Sequence, residues 1–480
     1  MAHYRGTVLS TRSAEDTFDY LAEFSNAAEW DPGVAGSRRL DDGPVGPDSS
    51  FRLEVRVGHR AVPLTYRVVA YERPHRVVLL GETGTLRSED TVTVVSDGRG
   101  RSILTYDAEL ELLGPLAPLT PLLALPFRRI GDRGLAGLRR VLSAPLEPSP
   151  GPSPVARVVD ELLEATVAGS FSAIGPAVRR PLAGWAEPPS MEGKVVLVTG
   201  ATSGLGRSAA VGMAGLGAAV RIVARDAGRG AAAAGLITGA VPGTDVEVLL
   251  GDMGEPDQVR VVAERFLADN DRLDVLVHNA GALSGEYRVN SRGTEVTVAS
   301  QLVGPFLLSG LLLPSLSRAR PARILQVSSG GMYTQRFDLA ALDAGPAGYD
   351  GTVTYARVKR AQLVLMHEWA RRLDGDGVAV HAMHPGWADT PGLRAALPGF
   401  ARVTGPLLRS PEDGADTLVW LAAAPEAAVT TALFWLDRRP RWENKVPWTR
   451  LPAAEFVRAG SELWSWCAQR AGWDGLPPGR

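Results

Sequence analysis

Residues 195–206 read VVLVTGATSGLG, and this stretch decides how the rest of the chain is interpreted. Its four leading apolar residues predict a buried strand, and its three glycines predict a tight turn that opens into a helix. Glycines let a main chain approach phosphate groups closely, and the free amides of a helix N-terminus favour negative charge. The pattern therefore predicts a site for the pyrophosphate of a dinucleotide, although a strand-to-helix turn without a ligand gives the same spacing.

Downstream of this turn, strand-like apolar runs alternate with helical patterns. Val220–Ala224, Val246–Leu250 and Leu273–Val277 are the next three predicted strands. Strands and helices that alternate at this rhythm predict an α/β fold with a doubly wound parallel sheet of the Rossmann type.

Arg225 and Asp226 directly follow the second predicted strand of this sheet. In such folds an acidic residue at this place binds the 2′-hydroxyl of the adenosine ribose, and an arginine accommodates a 2′-phosphate. Because Arg225 comes first, the sequence favours NADP(H), while Asp226 leaves NAD(H) possible. Asp252, after the third strand, is a candidate for a hydrogen bond to the adenine.

The composition is that of a folded protein with two or three domains: 480 residues, 45% hydrophobic and 22% charged. A formal net charge of −2 gives no basic field for nucleic acid or an anionic membrane. The single cysteine, Cys467, excludes an intrachain disulfide framework and a multi-cysteine zinc site, and no metal site is predicted. The N-terminus lacks an apolar core of signal-peptide length and no transmembrane segment is predicted, so we expect a cytoplasmic protein.

The first 143 residues follow a different pattern, and no catalytic constellation is predicted in them. The predicted elements are a strand Tyr4–Leu9, a helix from Ala14 to about Phe24, antiparallel strands between Ser37 and Leu112, and a helix Phe127–Leu142. This order, with the text FDYLAEFSNAAEWDPGV at residues 18–34, resembles the START-like polyketide cyclase/dehydrase superfamily. The resemblance implies an α+β helix-grip domain that binds a lipophilic small molecule.

Residues 144–154 read APLEPSPGPSP, which predicts an extended, semi-rigid spacer between domains. Apolar residues then recur at helical spacing from Val155 to Leu163 and predict an amphipathic helix. We expect this helix to pack on the second domain rather than bridge the domains or lie on a membrane, because its polar face is mainly acidic. The predicted division is 1–143, a linker with helix at 144–190, and 191–480.

Four motifs of the second region occur in a fixed order: TGATSGLG, then HNAG at 278–281, then a serine after a later strand, then Tyr355-x-x-x-Lys359. Together they resemble the short-chain dehydrogenase/reductase family over about residues 191–440, and most of all its retinol-dehydrogenase-like branch. The text MHPGWADTPG at 383–392 adds to this resemblance. It implies an NAD(P)-dependent enzyme that interconverts an alcohol and a carbonyl.

Tyr355 and Lys359 lie one helical turn apart, so their heads reach one region. Hydride transfer at a carbon that bears oxygen needs a proton donor or acceptor at that oxygen. A tyrosine titrates at about 10, and a nearby ammonium lowers its pKa. The resemblance implies that Ser329 polarises the substrate carbonyl and that Lys359 also holds the nicotinamide ribose. Ser328 is the alternative to Ser329, and Tyr349 is a weak competitor for Tyr355 because no lysine follows it at this spacing.

The sequence departs from the family pattern at two positions. Members of the family often carry an asparagine that holds a water in a proton relay from the lysine, and alignment on Gly304 places Gln301 there. Glutamine has the same amide on a longer side chain, so we expect a shifted relay. His278 replaces the first asparagine of the usual NNAG motif, whereas Asn279 remains and is expected to hold the central strand and the cofactor.

The resemblance implies cofactor contacts along the glycine turn, after three strands, on the helix that carries the catalytic tyrosine and in the HPG loop. The full set is Gly200, Thr202, Ser203, Gly204, Leu205, Gly206, Arg225, Asp252, Met253, Asn279, Ala280, Gly281, Tyr355, Lys359, Pro385, Gly386 and Thr390. The segment from Pro391 to Thr404 is the expected mobile lid over the substrate. Many family members dimerise through the helices that here carry Gln301 and Tyr355, so a homodimer is compatible with the resemblance.

The leading interpretation is an NADP(H)-dependent oxidoreductase that interconverts a carbonyl and an alcohol on a hydrophobic small molecule, with an N-terminal domain that binds a lipophilic ligand. The alternative is a lipid-binding or sensor protein whose reductase-like domain binds nucleotide with little turnover. Gln301 and His278, which depart from the family pattern, motivate that alternative.

Overall fold

The structure is a computed structural model that describes residues 2–57, 60–96, 100–142, 154–281 and 283–473. The chain forms two compact units: Met1–Ser149 with Pro452–Val457, and Pro150–Leu451 with Arg458–Arg480. The predicted spacer lies outside the described residues, apart from Pro154.

The first unit is an antiparallel sheet with a long helix at its C-terminal end. Its elements are β1 (Ala2–Ser10), α1 (Ala14–Ala22), α2 (Ala27–Trp30), β2 (Val34–Arg39), β3 (Ser50–Val57), β4 (Arg60–Glu72), β5 (Arg76–Glu82), β6 (Leu86–Ser96), β7 (Ser102–Leu112) and α3 (Ala124–Leu142). The seven strands pair in the order β1-β7-β6-β5-β4-β3-β2, and α3 packs on β1 and β7. The predicted helix-grip order of elements is therefore confirmed.

The core of the first unit lies between the sheet and α3. On β3, Phe51 and Leu53 are buried while the residues between and after them are exposed, as the alternation in the sequence predicts. Trp30 is 3% exposed and lies edge-to-face with Tyr106 at 5.6 Å between ring centroids. Gly137 of α3 contacts the main chain of Trp30 so closely that a Cβ atom there would overlap with its carbonyl. Trp30 thus has a structural role and packs against α3.

The second unit is built on one sheet, whose strands are β8 (Val195–Thr199), β9 (Ala219–Ala224), β10 (Val246–Leu250), β11 (Val275–His278), β12 (Ala322–Val327), β13 (Val378–Met383), β14 (Leu433–Leu436) and β15 (Arg439–Pro440). Its helices are α4 (Pro154–Glu164), α5 (Val167–Phe171), α6 (Ile174–Ala183), α7 (Gly204–Gly215), α8 (Ala227–Ala240), α9 (Pro256–Asp269), α10 (Val296–Val298), α11 (Gly304–Ala319), α12 (Gly351–Arg372), α13 (Pro391–Ala396), α14 (Pro398–Thr404), α15 (Pro411–Ala423), α16 (Pro425–Ala428) and α17 (Ala453–Ala471).

The strand order β10-β9-β8-β11-β12-β13-β14-β15 confirms the predicted doubly wound sheet. All pairs are parallel except the last, in which β15 turns back on β14. The order reverses between β8 and β11. In sheets of this kind ligands bind at the carboxyl ends of the strands beside such a reversal, which here places Gly200 and Asn279 at the edge of the site.

One helical stretch in the described part of the chain, Val296–Ala319, is long and apolar enough to cross a bilayer. It runs through α10 and α11, and 83% of its apolar window is buried inside the protein. It packs against α9, α12 and the sheet, which is the setting of a core helix.

The segment α4–α6 belongs to the second unit, on which it was expected to pack. The packed face of α4 carries Asp160 between the buried Ala156 and the half-buried Leu163, while several apolar residues of α4 remain exposed. Val155, Val158 and Leu162 on α4 are 64%, 52% and 67% exposed, while Asp160 is 6% exposed. The physical reason is a set of buried cations: Asp160 bonds to Arg179 at 2.6 Å and to Arg441 at 2.9 Å. Residues 154–190 thus fall within the second unit.

Candidate active site

The glycine turn after β8 forms an open cradle at the switch point of the sheet. Gly200 and Gly204 have positive φ angles of 67° and 53°. A Cβ atom on Gly200 would lie 2.6 Å from the Cα atom of Ala280, and one on Gly206 would overlap with the Asn279 amide. The N-cap residue of α7, Ser203, makes no side-chain capping hydrogen bond within the described residues. The first amides of α7 are therefore available to an anion, and the cradle fits a dinucleotide pyrophosphate.

Asn279 holds this turn from the neighbouring strand. Its side-chain amide donates to the carbonyls of Thr199 and Gly200, both at 3.1 Å. The Thr199 hydroxyl accepts the main-chain N–H groups of Asn279 and Ala280 at 3.0 Å and donates to the carbonyl of Val277 at 3.2 Å. Asn279 thus bonds to the end of the central strand, as predicted. Its side-chain nitrogen also holds the glycine turn through the carbonyl of Gly200.

Arg225 directly follows β9, at the place where the adenosine ribose of a dinucleotide is expected. Its side chain is 70% exposed, and its Nη1 atom lies 3.7 Å from the Asp252 carboxylate. Asp226 accepts the N–H of Arg229 at 2.8 Å and so caps α8. Asp252 likewise accepts the N–H of Gly254 at 2.8 Å. The arginine is therefore exposed to solvent, while one oxygen of each acid is used by the main chain.

The Ser329 and Tyr355 side chains share a hydrogen bond, and Lys359 lies beside them. The Lys359 Nζ atom is 5.2 Å from the centre of the Tyr355 ring and donates to the carbonyl of Val327 at 2.9 Å. The Ser328 hydroxyl instead donates to the main-chain carbonyl of Lys359 at 3.1 Å and is buried. The structure therefore brings Ser329, and not Ser328, to the tyrosine.

Tyr349, the competitor considered for Tyr355, is engaged elsewhere. Its hydroxyl donates to the Glu295 carboxylate at 3.0 Å, and its ring lies edge-to-face with Tyr287 at 5.4 Å between centroids. Tyr355 is therefore the tyrosine that faces the serine.

The pKa values of this group differ from the expectation drawn from the sequence. Burial raises the pKa of Tyr355, and the hydrogen bond with Ser329 opposes that rise. Burial also lowers the pKa of Lys359 to about 7. The predicted lowering of the tyrosine pKa by a lysine ammonium is absent because burial disfavours both charged forms in the protein alone.

Gln301 lies in a five-residue π-helix, Ala299–Val303, and is fully buried. Its main-chain carbonyl accepts the side-chain amide of Gln362 at 2.6 Å. A Cβ atom on Gly281 would lie 2.7 Å from its Oε1 atom, so its side chain lies beside the HNAG loop. Gln362, three residues after Lys359 on α12, was not predicted from the sequence. An amide residue that close to the lysine on one helix was the available signal.

His278, the other departure from the family pattern, is a structural residue. Its Nε2 atom lies 2.7 Å from the Ser309 hydroxyl, and burial lowers its pKa to about 3. The imidazole is therefore neutral at physiological pH and ties β11 to α11.

The loop after β13 forms the far side of the site. Gly386 has a φ angle of 71°, and Thr390 caps α13 by accepting the N–H of Leu393 at 3.2 Å. A Cβ atom on Gly204 would lie 3.2 Å from Thr390, so this loop contacts the glycine turn. The predicted lid forms the short helices α13 and α14, neither of which contains a buried residue.

The remaining predicted cofactor residues divide by exposure. Leu205 and Met253 are buried, at 8% and 4% exposure, so only their main-chain atoms can face a cofactor. The partly exposed members are Thr202, Ser203, Asp252, Asn279, Ala280, Tyr355, Pro385, Gly386 and Thr390, while Gly281 is exposed.

Comparisons with known proteins agree with this geometry. Residues 194–398 match the family model described as short chain dehydrogenase, and residues 1–143 match the one described as polyketide cyclase / dehydrase and lipid transport. Dehydrogenase/reductase SDR family member 12 of Homo sapiens is 37% identical over 251 residues, which cover 52% of this chain and 78% of that protein. The chain belongs to the short-chain dehydrogenase/reductase family.

Other members of the family are similar over the same region. Retinol dehydrogenase 14 of Mus musculus is 34% identical over 306 residues, which cover 60% of this chain and 89% of that protein. Among solved structures, a Pseudomonas aeruginosa RhlG/NADP active-site complex is 25% identical, covers 52% of this chain and 96% of that chain, and has a TM-score of 0.44. By its membership of this family, the chain is an oxidoreductase, and the family uses NAD(P)(H).

The first unit contains a buried polar cluster that the sequence did not reveal. Asp90 is 4% exposed; its carboxylate accepts the hydroxyls of Tyr106 at 2.5 Å and Ser88 at 3.1 Å, and it also bonds to Tyr66. Burial raises the pKa of Asp90 to about 6, and burial also raises that of the nearby Asp31. The available signal was an acidic residue at an inward position of an alternating strand.

A second group in the first unit has metal-ligand chemistry. The side-chain ligand atoms of His3, Asp107 and Glu109 lie within 4.8 Å of one another. His3 is 2.7 Å from Asp107, and Arg5 is 3.5 Å from the same carboxylate. The guanidinium of Arg5 already neutralises this carboxylate, so the group has the character of a strand-surface ion-pair network.

Proposed function

We propose that this dehydrogenase interconverts a carbonyl and an alcohol on a hydrophobic small molecule, with NADP(H) as its preferred cofactor. The observation that carries the proposal is the meeting of Ser329, Tyr355 and Lys359 beside the glycine cradle. A hydroxyl pair next to a buried lysine is the arrangement that acid–base chemistry at a substrate oxygen requires.

In the direction of reduction, the substrate carbonyl accepts hydrogen bonds from Ser329 and Tyr355, which polarise it. The reduced nicotinamide, when bound, supplies the hydride that the carbonyl carbon takes up. Tyr355 donates its proton to the carbonyl oxygen, which becomes the alcohol. The resulting phenolate lies beside Lys359, whose protonated form stabilises it. Oxidation of an alcohol is the reverse, with Tyr355 as the base.

The cofactor preference is supported by the two side chains after β9. Arg225 is exposed to solvent, whereas Asp226 is used as the N-cap of α8. A 2′-phosphate placed at this edge meets an exposed guanidinium, and a free 2′-hydroxyl meets an acid that already accepts a main-chain N–H.

The hydrophobic nature of the substrate is supported by the residues that lead into the lid. Trp387 and Phe400 lie edge-to-face at 5.2 Å between centroids, and both are only half-buried. Several relatives, such as retinol dehydrogenase 14, are named for an apolar alcohol. An apolar alcohol or aldehyde is therefore the proposed substrate class.

The test is turnover by the full chain with NADPH and a panel of hydrophobic aldehydes and ketones, followed by the absorbance of the reduced nicotinamide. Tyr355→Phe should lower kcat by about 10²–10⁴-fold, the usual loss when a general acid is removed. Tyr349→Phe is the matched control and should retain turnover. NADPH binding without turnover of any substrate would refute the proposal and favour a nucleotide-binding lipid sensor.

We also propose that the first unit binds the lipophilic ligand, since residues 1–143 match a family described by lipid transport. A tether between binding and catalytic units raises the local concentration of a shared ligand. Mass spectrometry of lipid extracted from the purified full chain tests this. A ligand that also serves as substrate, or its alcohol or carbonyl counterpart, is expected; an unrelated ligand would indicate two independent activities.

A further inference from the structure

Phe171 ends α5, before the first strand of the dinucleotide-binding sheet, yet it lies between two loops of the proposed active site. Its side chain is 5% exposed and packs against Gly330, where a Cβ atom would overlap with the ring edge. The ring is edge-to-face with His384 at 4.5 Å and with Trp387 at 6.2 Å between centroids. One side chain therefore contacts both the main chain next to Ser329 and the loop after β13.

The carbonyl of Phe171 holds that second loop by hydrogen bonds. It accepts the main-chain N–H of Trp387 at 2.7 Å and the Nε–H of Arg409 at 3.0 Å. A Cβ atom on Gly386 would lie 2.5 Å from this oxygen, so only glycine permits the approach. The loop that carries the proposed nicotinamide contacts is thus seated directly on the main chain of α5.

Two neighbouring bonds extend this contact to both ends of the lid segment. Arg409 donates its main-chain N–H to the carbonyl of Trp387 at 2.8 Å, and Ala173 donates its own to the carbonyl of Leu407 at 2.9 Å. The residues around Phe171 therefore join the chain that enters the lid to the chain that leaves it.

Buried ion pairs fix this arrangement. Asp437 bonds to Arg409 at 2.6 Å and to Arg179 of α6 at 2.5 Å, and Arg409 also donates to the carbonyl of Ser170 at 2.5 Å. The side chains of Arg409 and Asp437 are each 1% exposed. These four residues, like Phe171, lie outside the 194–398 span that matches the dehydrogenase model. Phe171, Ser170 and Arg179 precede the matched span, so this side of the support comes from the segment before the dinucleotide-binding sheet.

We infer that Phe171 is a positioning residue of this dehydrogenase, which sets the Ser329 loop and the Pro385–Gly386 loop around the nicotinamide end of the cofactor. The inference rests on the proposed function for the identity of that end. The ring contacts Gly330 and so fixes the position of its main chain. Because Ser329 precedes Gly330, this also fixes the position of the Ser329 hydroxyl relative to Tyr355. Since a misplacement of about 1 Å costs up to ~10²-fold in rate, the size of the side chain at position 171 controls catalysis.

The first arm of the test is size complementation between the two contacting residues. Gly330→Ala pushes the serine loop away from the ring and should lower kcat/KM by about tenfold or more. Phe171→Leu alone should lower it as well. The double variant Gly330→Ala/Phe171→Leu removes the overlap and should recover activity above that of Gly330→Ala. A double variant no more active than Gly330→Ala would overturn the inference.

The second arm needs no turnover. Phe171→Leu and Gly330→Ala should weaken NADPH several-fold while leaving the affinity for adenosine 2′,5′-bisphosphate, which lacks the nicotinamide half, unchanged. Equal effects on both ligands, or none, would contradict the inference whether or not a substrate is found. Val167→Ala, at a 55% exposed position on the same helix, is the matched control. It should change neither kcat/KM nor the affinity for either ligand. The comparison of Tyr355→Phe with wild type tests the proposed function separately.

Discussion

At the scale of single residues, Arg225 carries the proposed choice between the two dinucleotides. Arg225→Ala should weaken NADPH by about ten- to a hundredfold, because a hydrogen bond to a charged group contributes about 1.5–3 kcal/mol. NADH, which has no 2′-phosphate, should lose little. Titration of nicotinamide fluorescence with both cofactors measures this, with Arg265→Ala on α9 as the control. Equal weakening of the two cofactors would refute the preference.

Asp90 makes a second residue-scale prediction, which concerns stability against pH. Its pKa of about 6 in the folded protein lies above the unfolded value, so folded Asp90 keeps a proton that the unfolded chain has lost between about pH 4 and 6. Its contribution to the free energy of unfolding therefore falls as pH rises through that window, by about 3 kcal/mol. Asp90→Asn should remove this fall, so its stability relative to wild type should increase from pH 4 to pH 7.

Urea unfolding at several pH values, followed by a probe of the first unit, measures this difference. Asp41→Asn is a control of opposite sign, because Arg39 lowers the pKa of Asp41 to about 2. Its native contribution is present above the unfolded pKa and is lost as pH falls. If Asp90→Asn had the same pH dependence as wild type, the buried carboxyl would not be the group that titrates.

The sequence predicted site residues correctly where the interacting residues lie close together along the chain. Tyr355 and Lys359 share one helix, and a single motif links Ser329 to the end of a strand, so spacing alone finds them. Asp90 and Tyr106 come from different strands, and Phe171 reaches Gly330 across more than a hundred residues of sequence. No short-range pattern encodes such contacts, because sheet register and helix docking create them.

At the scale of elements, the strands were predictable and the docking of one helix was not. β10 and the apolar strands around it follow directly from runs of branched residues. The apolar residues of α4 were the natural choice for burial, yet Val155, Val158 and Leu162 are exposed and Asp160 is buried. Periodicity identifies the two faces of a helix, but the partners decide which face is buried, and here the partners are the arginines of α6 and of the segment after β15.

Because α4 buries Asp160 and exposes Leu162, it predicts an unusual pair of stability effects. Asp160→Ala should destabilise the second unit by about 3–5 kcal/mol, because it removes a buried carboxylate that pairs with the guanidinium groups of Arg179 and Arg441. Leu162→Ser, at a 67% exposed position two residues away, should change stability by no more than about 0.5 kcal/mol. Urea unfolding of both variants measures this. The reverse ranking would mean that α4 packs by its apolar face.

At the scale of the whole molecule, each unit has a buried apolar cluster of its own. One is centred on residues such as Phe18, Phe51 and Leu104 between the antiparallel sheet and α3, and the other surrounds β8 and α7, with Val198 and Met213 among its members. The residues of each cluster belong to one unit. Effects of substitutions in the two cores should therefore add without coupling.

This independence predicts two transitions in calorimetric unfolding of the full chain. Saturating NADPH binds the native second unit only, so at a hundred times Kd it adds about 2.7 kcal/mol to that unit and should raise its midpoint by a few degrees. Asp90→Asn should move the other transition alone, and Asp160→Ala the NADPH-sensitive one alone. If NADPH or either substitution moved both transitions together, the units would unfold as one cooperative body, and binding in the first unit would be thermodynamically linked to the cofactor site in the second.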